Sequence, residues 1–331
     1  MHSTHVFINA LLSSQNRPDI VLSRVTDIFR SPQVTPSPPP ATGLITAAFG
    51  RHYEIELADG QRITGYPRGK KSPYACGDRV ELEHAADGQA QIRRHLPRAS
   101  LLYRADAWRQ KLIVANATQL VLVAATEPSF SDELLTRALV AAESQNLRSL
   151  IILNKTDLTA QLDAARARLA PLAALGYPVI ELSAAQHPEA AARALQPHLA
   201  GQCSILVGQS GMGKSTLLNA LIPGANATTR EISAALDSGK HTTTHARLYR
   251  LPGASADAAL IDSPGLQEFG LAHLTRGEIE QGFREFRPHL AACRFRDCHH
   301  RDEPGCAIKQ AVDHGAIHPR RYELYLRLGQ A

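Results

Sequence analysis

Residues 208–215 read GQSGMGKS, and this stretch decides the fold. Its eight residues are Gly208, Gln209, Ser210, Gly211, Met212, Gly213, Lys214 and Ser215. The spacing matches G-x-x-x-x-G-K-[ST], in which successive backbone N–H groups curve around phosphate oxygens. Glycine permits that curvature because it has no Cβ atom. We expect Lys214 to bind the β- and γ-phosphates and Ser215 to ligate Mg²⁺.

The residues on either side of this loop support the same interpretation. The apolar run at 203–207 predicts a short buried strand, and residues 215–221 predict a helix whose N-terminus favours an anion. Thr216 lies in the first turn of that helix and is included among the predicted nucleotide-binding residues. A strand, a glycine-rich loop and a helix in this order indicate an α/β nucleotide-binding domain.

A second motif predicts which base the nucleotide carries. The apolar run at 149–153 leads into Asn154, Lys155, Thr156 and Asp157, at the carboxyl end of a predicted strand, where α/β sheets bind ligands. The two carboxylate oxygens of Asp157 match the two donors on guanine N1 and N2, a pair that adenine lacks. We expect Asn154 to hold the loops together and the stem of Lys155 to cover the base.

The order of these motifs along the chain is itself informative. A further predicted strand at 177–182 ends at Ser183 and Ala184, which are expected to contact the guanine carbonyl. Both base-reading loops come before the phosphate loop, whereas ordinary GTPases have the reverse order. The sequence therefore predicts a circularly permuted GTPase domain.

Two further segments are predicted to sense the γ-phosphate. Asp262, at the end of an apolar strand and three residues before Gly265, is expected to hold Mg²⁺ through water, and the Gly265 N–H to contact the γ-phosphate. In the segment 239–245, GKHTTTH, we favour Thr243 as a Mg²⁺ ligand, although its neighbouring threonines fit the pattern too.

Leu266 occupies the position where many small GTPases have the glutamine that orients the attacking water. Because leucine cannot hydrogen-bond water, we expect slow hydrolysis by the protein alone. His241, His245 or a partner molecule would have to orient the water, and His241 is the favoured candidate.

Three of the five cysteines crowd together near the C-terminus, and the chain has no secretory signal. Cys293, Cys298, His300 and Cys306 would form a closed tetrahedral Zn²⁺ site, which is typical of structural rather than catalytic zinc. His299 is an alternative fourth ligand.

Composition suggests four segments. Residues 1–40 form a Pro-rich leader without a predicted fold, and residues 41–110 alternate polar and apolar positions around Asp-Gly turns, which indicates an OB-fold barrel. The α/β domain covers 111–272, and residues 273–331 form a mainly helical zinc-binding domain. No segment is long and apolar enough to span a membrane, so we expect a cytoplasmic protein.

The barrel is expected to bind RNA. The net charge is +5, which favours a polyanionic partner. Five aromatic residues are candidates for stacking on bases: Tyr53, Tyr66, Tyr74, Tyr103 and Trp108.

The predicted barrel, the predicted permuted nucleotide domain and the cysteine cluster follow one another along the chain. In this order they resemble the ribosome small subunit-dependent GTPase A family of bacteria. The resemblance covers residues 42–325. It implies a monomeric factor that hydrolyses GTP, binds the small ribosomal subunit late in maturation and contacts its rRNA through the barrel and zinc domains. Two alternatives remain open: a GTP-binding RNA scaffold with little turnover, and a permuted GTPase acting on the large subunit.

Overall fold

The computed structural model describes residues 41–69, 73–106, 109–225, 227, 245–255, 257–263 and 271–328. The Pro-rich leader, His241, Thr243, Gly265, Leu266 and Trp108 lie outside the described residues. All described residues belong to one compact unit, Pro40–Ala331.

A closed five-stranded barrel opens the described chain. Its strands are β1 (Ala41–Ala48), β2 (Tyr53–Leu57), β3 (Arg62–Pro67), β4 (Arg79–Ala86) and β5 (Gln89–His95). They pair in the order β1-β2-β3-β5-β4, and a β1–β4 pairing closes the barrel. Only β3 and β5 run parallel. The alternating strands bury an apolar interior that includes Ile45, Ile55 and Ile92, which confirms the OB-fold prediction.

The central sheet carries the predicted nucleotide motifs. A hairpin of β6 (Leu101–Asp106) and β7 (Arg109–Ala115) precedes it. The sheet strands are β8 (Gln119–Ala125), β9 (Arg148–Asn154), β10 (Val179–Glu181), β11 (Cys203–Val207), β12 (Arg247–Arg250) and β13 (Ala259–Asp262). Their order is β10-β9-β8-β11-β13-β12, and all run parallel except β12. Every residue of β8 is buried because both faces of the sheet are covered.

Among the described residues, four helices connect these strands: α1 (Asp132–Ser144), α2 (Leu162–Ala174), α3 (Pro188–Leu199) and α4 (Lys214–Leu221). α1 begins after Ser131, whose hydroxyl accepts a hydrogen bond from the Leu134 N–H. This cap satisfies a backbone donor that the helix leaves unpaired.

The barrel and the central sheet are joined by strand pairing. β1 of the barrel pairs antiparallel with β12, with Ala47 opposite Arg247. Two ion pairs reinforce the junction: Arg250 with Glu56 at 2.6 Å, and Arg247 with Glu54 at 3.5 Å. The two sheets therefore form one continuous eleven-stranded sheet.

The C-terminal region is mainly helical, as expected. It contains α5 (Arg276–Gln281), α6 (Ala307–Asp313), α7 (Pro319–Leu328) and the 3-10 turn Leu290–Ala292. It packs against α1, where Arg321 pairs with Glu285 at 2.7 Å and donates to the Thr136 hydroxyl at 2.9 Å. Within the described residues, no helix has the length and apolar character needed to cross a membrane.

The stacking prediction was wrong for two of the barrel tyrosines. Tyr53 and Tyr74 are 1% and 8% exposed and pack edge to face inside the barrel, with ring centroids 5.7 Å apart. Strand alternation explains the difference, since Tyr53 lies opposite Gly65 on the inward face while Tyr66, one residue further along β3, points outward and is 43% exposed. Tyr66 therefore remains available for stacking.

Candidate functional site

The phosphate loop connects β11 to α4 at the carboxyl edge of the parallel sheet. The Lys214 ammonium bridges the loop by donating to the carbonyl oxygens of Gly208 at 2.6 Å and Gln209 at 2.8 Å. Burial lowers the pKa of Lys214, and the nearby Asp262 carboxylate opposes that shift. Ser210 lies exposed on the loop, and Ser215 and Thr216 begin α4 half-buried. The loop thus presents backbone N–H groups, a cation and a hydroxyl at one helix N-terminus.

A single buried amide ties the phosphate loop to both base-reading loops. Asn154, which is 2% exposed, donates through Nδ2 to the Met212 carbonyl at 2.9 Å and accepts at Oδ1 from the Ala184 N–H at 3.0 Å. Gly213 permits this approach, because a Cβ atom there would lie 2.3 Å from the Asn154 Nδ2 and its φ is +88°. Asn154 therefore brings together loops that are far apart in sequence.

The predicted base-reading carboxylate lies beside the second base loop. Asp157 is exposed, and its Oδ1 accepts a hydrogen bond from the Ser183 hydroxyl at 2.5 Å. The Thr156 N–H donates to the Leu182 carbonyl at 3.3 Å, which holds the two loops side by side. This contact orients the carboxylate, and the remaining lone pairs on its two oxygens are left for a ligand.

Two supporting contacts in this site have no sequence signature. The Thr126 hydroxyl donates to the carbonyl of Lys155, which has a left-handed φ of +61°. The Gln209 side chain accepts from the Ser131 N–H at 2.7 Å and so joins the phosphate loop to the start of α1. Each depends on a residue distant in sequence, so the sequence did not reveal them.

Asp262 ends β13, the strand next to β11, in register with Leu206. Burial raises the pKa of Asp262, while the charge of Lys214 opposes the shift. The structure thus brings Asp262 close to the phosphate loop, at the position from which a carboxylate would reach a bound cation.

The cysteine cluster forms a separate site in the C-terminal region. Cys293, Cys298, His300 and Cys306 place their potential ligand atoms within 4.8 Å of one another. His300 Nδ1 lies 3.6 Å from the Cys293 Sγ and 3.4 Å from the Cys306 Sγ. His300 belongs to the cluster, whereas the exposed His299 does not. Three sulfur atoms and one imidazole nitrogen are a donor set that suits Zn²⁺.

The outer nitrogen of His300 faces residues that the sequence did not reveal as part of the site. His300 Nε2 lies 3.6 Å from the Glu280 Oε1, which also accepts from the Tyr325 hydroxyl at 3.0 Å. The Tyr322 hydroxyl donates to the His300 carbonyl at 2.5 Å. Metal-binding histidines are commonly oriented in this way by a carboxylate. Cys76 and Cys203 lie outside the cluster and are packing residues.

The fold and site together define a class: a P-loop GTPase in which the base-reading loops precede the phosphate loop, behind an OB-fold barrel. A family model described as RsgA GTPase matches residues 95–272. A Ralstonia pickettii protein, "Small ribosomal subunit biogenesis GTPase RsgA", is 55% identical over 86% of this chain and 91% of its own length. A protein of the same name from Paraburkholderia phytofirmans is 55% identical over 90% and 96%.

Two solved structures share this architecture. YjeQ from Thermotoga maritima has a TM-score of 0.67 and 29% identity, covering 88% of this chain and 97% of that one. YloQ, described as a circularly permuted GTPase, has a TM-score of 0.65 and 26% identity, covering 88% and 95%. The chain belongs to the RsgA GTPase family, which confirms the resemblance, the permuted fold and the GTPase class inferred from its sequence.

Proposed function

We propose that this protein is a cytoplasmic GTPase that binds the small ribosomal subunit, assists its late maturation and hydrolyses GTP faster when bound to it. The subunit assignment rests on the names of the curated relatives, each a small ribosomal subunit biogenesis GTPase. The GTPase chemistry rests on one observation above all, the Asn154 amide that joins the phosphate loop to both base-reading loops.

The nucleotide is bound in two parts. Asn154, Lys155, Thr156, Asp157, Ser183 and Ala184 surround the guanine, while residues 208–216 wrap the phosphates and Gly265 contacts the γ-phosphate. Ser215, Asp262 and Thr243 would hold Mg²⁺, which neutralises charge on the β- and γ-phosphates when bound. The contact of Lys214 with two loop carbonyls supports this assignment, because it holds the ammonium inside the loop that would bind the phosphates.

Hydrolysis by the protein alone is slow in this proposal. Leu266 cannot orient water, so His241 serves that role once the subunit positions the switch segment. Lys214 stabilises the charge that develops on the phosphoryl oxygens.

The remaining two domains supply RNA contacts. Cys293, Cys298, His300 and Cys306 hold one structural Zn²⁺, which fixes the fold of a C-terminal lobe with exposed Arg294, Arg296 and Phe295. The barrel and this lobe contact rRNA. A positive net charge of +5 supports a polyanionic partner.

The test is GTP hydrolysis by the purified protein alone and with small or large ribosomal subunits titrated in. We expect a slow basal rate that small subunits raise at least about tenfold, and no response in Lys214→Ala. Stimulation by large subunits alone would reassign the target. Tight GTP binding without turnover under any condition would indicate an RNA-binding scaffold instead.

A further inference from the structure

An exposed turn of the barrel places two rings face to face. β1 and β2 are joined by the two-residue turn Gly50-Arg51, and the Phe49 N–H donates to the His52 carbonyl at 2.9 Å across it. Gly50 has a φ of +84°, which tight hairpin turns of this kind require. As a result the Phe49 and His52 rings stack, with centroids 4.9 Å apart and an interplanar angle of 16°.

The stacked pair belongs to a longer row of rings. The Tyr66 ring lies 6.4 Å from that of His52, and the His245 ring packs edge-on against Phe49 at 5.3 Å. We call these four residues the aromatic strip. Tyr66 is 43% exposed although tyrosine carries a large apolar ring, and His52 is exposed as well. Single exposed apolar residues are ordinary, whereas neighbouring ones grouped on a surface mark interaction sites.

The charge around the strip is positive. Arg51 lies exposed in the turn itself and has no ion-pair partner among the described residues. The Arg247 guanidinium lies 6.0 Å from the Phe49 ring centroid, and it shares the single carboxylate of Glu54 with Arg62. Cations beside exposed rings fit a partner that is both anionic and flat.

We infer that the aromatic strip is a stacking platform for unpaired nucleic-acid bases, with Arg51 and Arg247 neutralising the adjacent phosphates. This inference rests on the proposed function and narrows its RNA contact to specific residues. Stacking on aromatic rings beside arginines is the mode by which proteins hold single-stranded nucleic acid with little sequence preference. An apolar protein segment would satisfy the rings but would leave the Arg51 charge without a partner, which is why the strip favours nucleic acid.

The experiment measures binding of the full chain to a fluorescein-labelled 12-nucleotide oligoadenylate and to heparin, a polyanion without bases. We expect Tyr66→Leu to weaken oligoadenylate binding about fivefold or more, the loss expected for one stacked base. Its heparin affinity and the salt dependence of its oligoadenylate affinity should match the parent. Tyr66→Phe keeps the ring and should bind within about twofold of the parent.

Arg51→Ala serves as the matched charge control. This variant should weaken binding of both oligoadenylate and heparin. It should also make the salt dependence of oligoadenylate binding less steep, by the amount expected for about one phosphate contact. If Tyr66→Leu weakens binding of both ligands equally, or of neither ligand, the strip does not stack on bases and the inference fails. Circular dichroism melting checks that each variant is folded.

Co-sedimentation with small ribosomal subunits separates this inference from the proposed function. If the parent binds subunits and Tyr66→Leu binds subunits and oligoadenylate as well as the parent does, the inference fails while the proposed function stands. Subunit binding lost with oligoadenylate binding intact would indicate a protein contact and would also overturn it. If the parent ignores subunits while Tyr66→Leu weakens oligoadenylate binding, the strip stands and the proposed function fails.

Discussion

Replacing Asp157 with asparagine should change the preferred base from guanine to xanthine. The Ser183 hydroxyl donates to Asp157 Oδ1 at 2.5 Å and needs an acceptor there. In Asp157→Asn this contact turns the amide so that its oxygen faces Ser183 and its NH₂ group faces the base. That donor meets the donor N2 of guanine, whereas xanthine offers a carbonyl oxygen at the same position.

The magnitude follows from the contacts that are lost. The Asp157 carboxylate is expected to accept two hydrogen bonds from guanine, and losing each one weakens the binding free energy by about 1.5–3 kcal/mol. Because Asp157 is exposed, we expect the lower end of this range for each hydrogen bond. The total of about 3 kcal/mol corresponds to roughly a hundredfold weaker GDP binding. Xanthosine diphosphate should gain affinity by a similar factor.

Competition of GDP and xanthosine diphosphate against a fluorescent GDP analogue measures both effects. Asp157→Ala is the control, since it should lose guanine binding without gaining xanthine. Adding Ser183→Ala to Asp157→Asn should weaken the xanthine preference, because nothing then orients the amide. If Asp157→Asn binds GDP within about fivefold of the parent, Asp157 does not read the base and the reasoning is refuted.

Three other predictions test the site and its support. Gly213→Ala should abolish nucleotide binding in a fluorescence titration, because the new Cβ atom would lie 2.3 Å from the Asn154 amide. The control is Gly224→Ala, which has the same φ of +88° but open space around its Cβ position and should bind nucleotide normally. Elemental analysis should find one zinc per chain, and Cys306→Ser should lose it and melt at a lower temperature. Glu285→Leu should destabilise the fold by about 3–5 kcal/mol in urea unfolding, because it leaves the Arg321 charge buried, and a second change, Arg321→Leu, should restore most of the loss.

The nucleotide site was largely predictable because its chemistry is local in sequence. The phosphate loop needs consecutive residues with fixed spacing, and residues 154–157 directly follow an apolar strand. The same locality marks the cysteine cluster, since Cys293, Cys298, His300 and Cys306 lie within one short stretch. In the cysteine cluster the spacing identified the three thiols, while the choice of His300 over His299 came from the structure.

Contacts between distant segments could not be predicted in this way. β12 is only four residues long, and both its ends are arginine. Neither its length nor its pattern therefore predicts a pairing with β1, about two hundred residues earlier in the chain. Glu280 reaches His300 from helix α5, about twenty residues earlier, and the sequence there shows only a capped helical turn. Tyr53 and Tyr66 differ by strand face, which depends on a register that the neighbouring turn residues set.

The pairing of β12 with β1 connects the barrel directly to the edge of the central sheet that carries the nucleotide motifs. Asp262 lies opposite Arg247, and Arg247 lies opposite Ala47 of the barrel. Because neighbouring strands are about 4.8 Å apart, the barrel backbone begins only about 10 Å from the backbone of Asp262, the residue expected to hold Mg²⁺. His245, two residues before β12 begins, packs against Phe49 in the aromatic strip. The residue expected to hold Mg²⁺ and the rings proposed to bind RNA are thus joined by hydrogen-bonded strands.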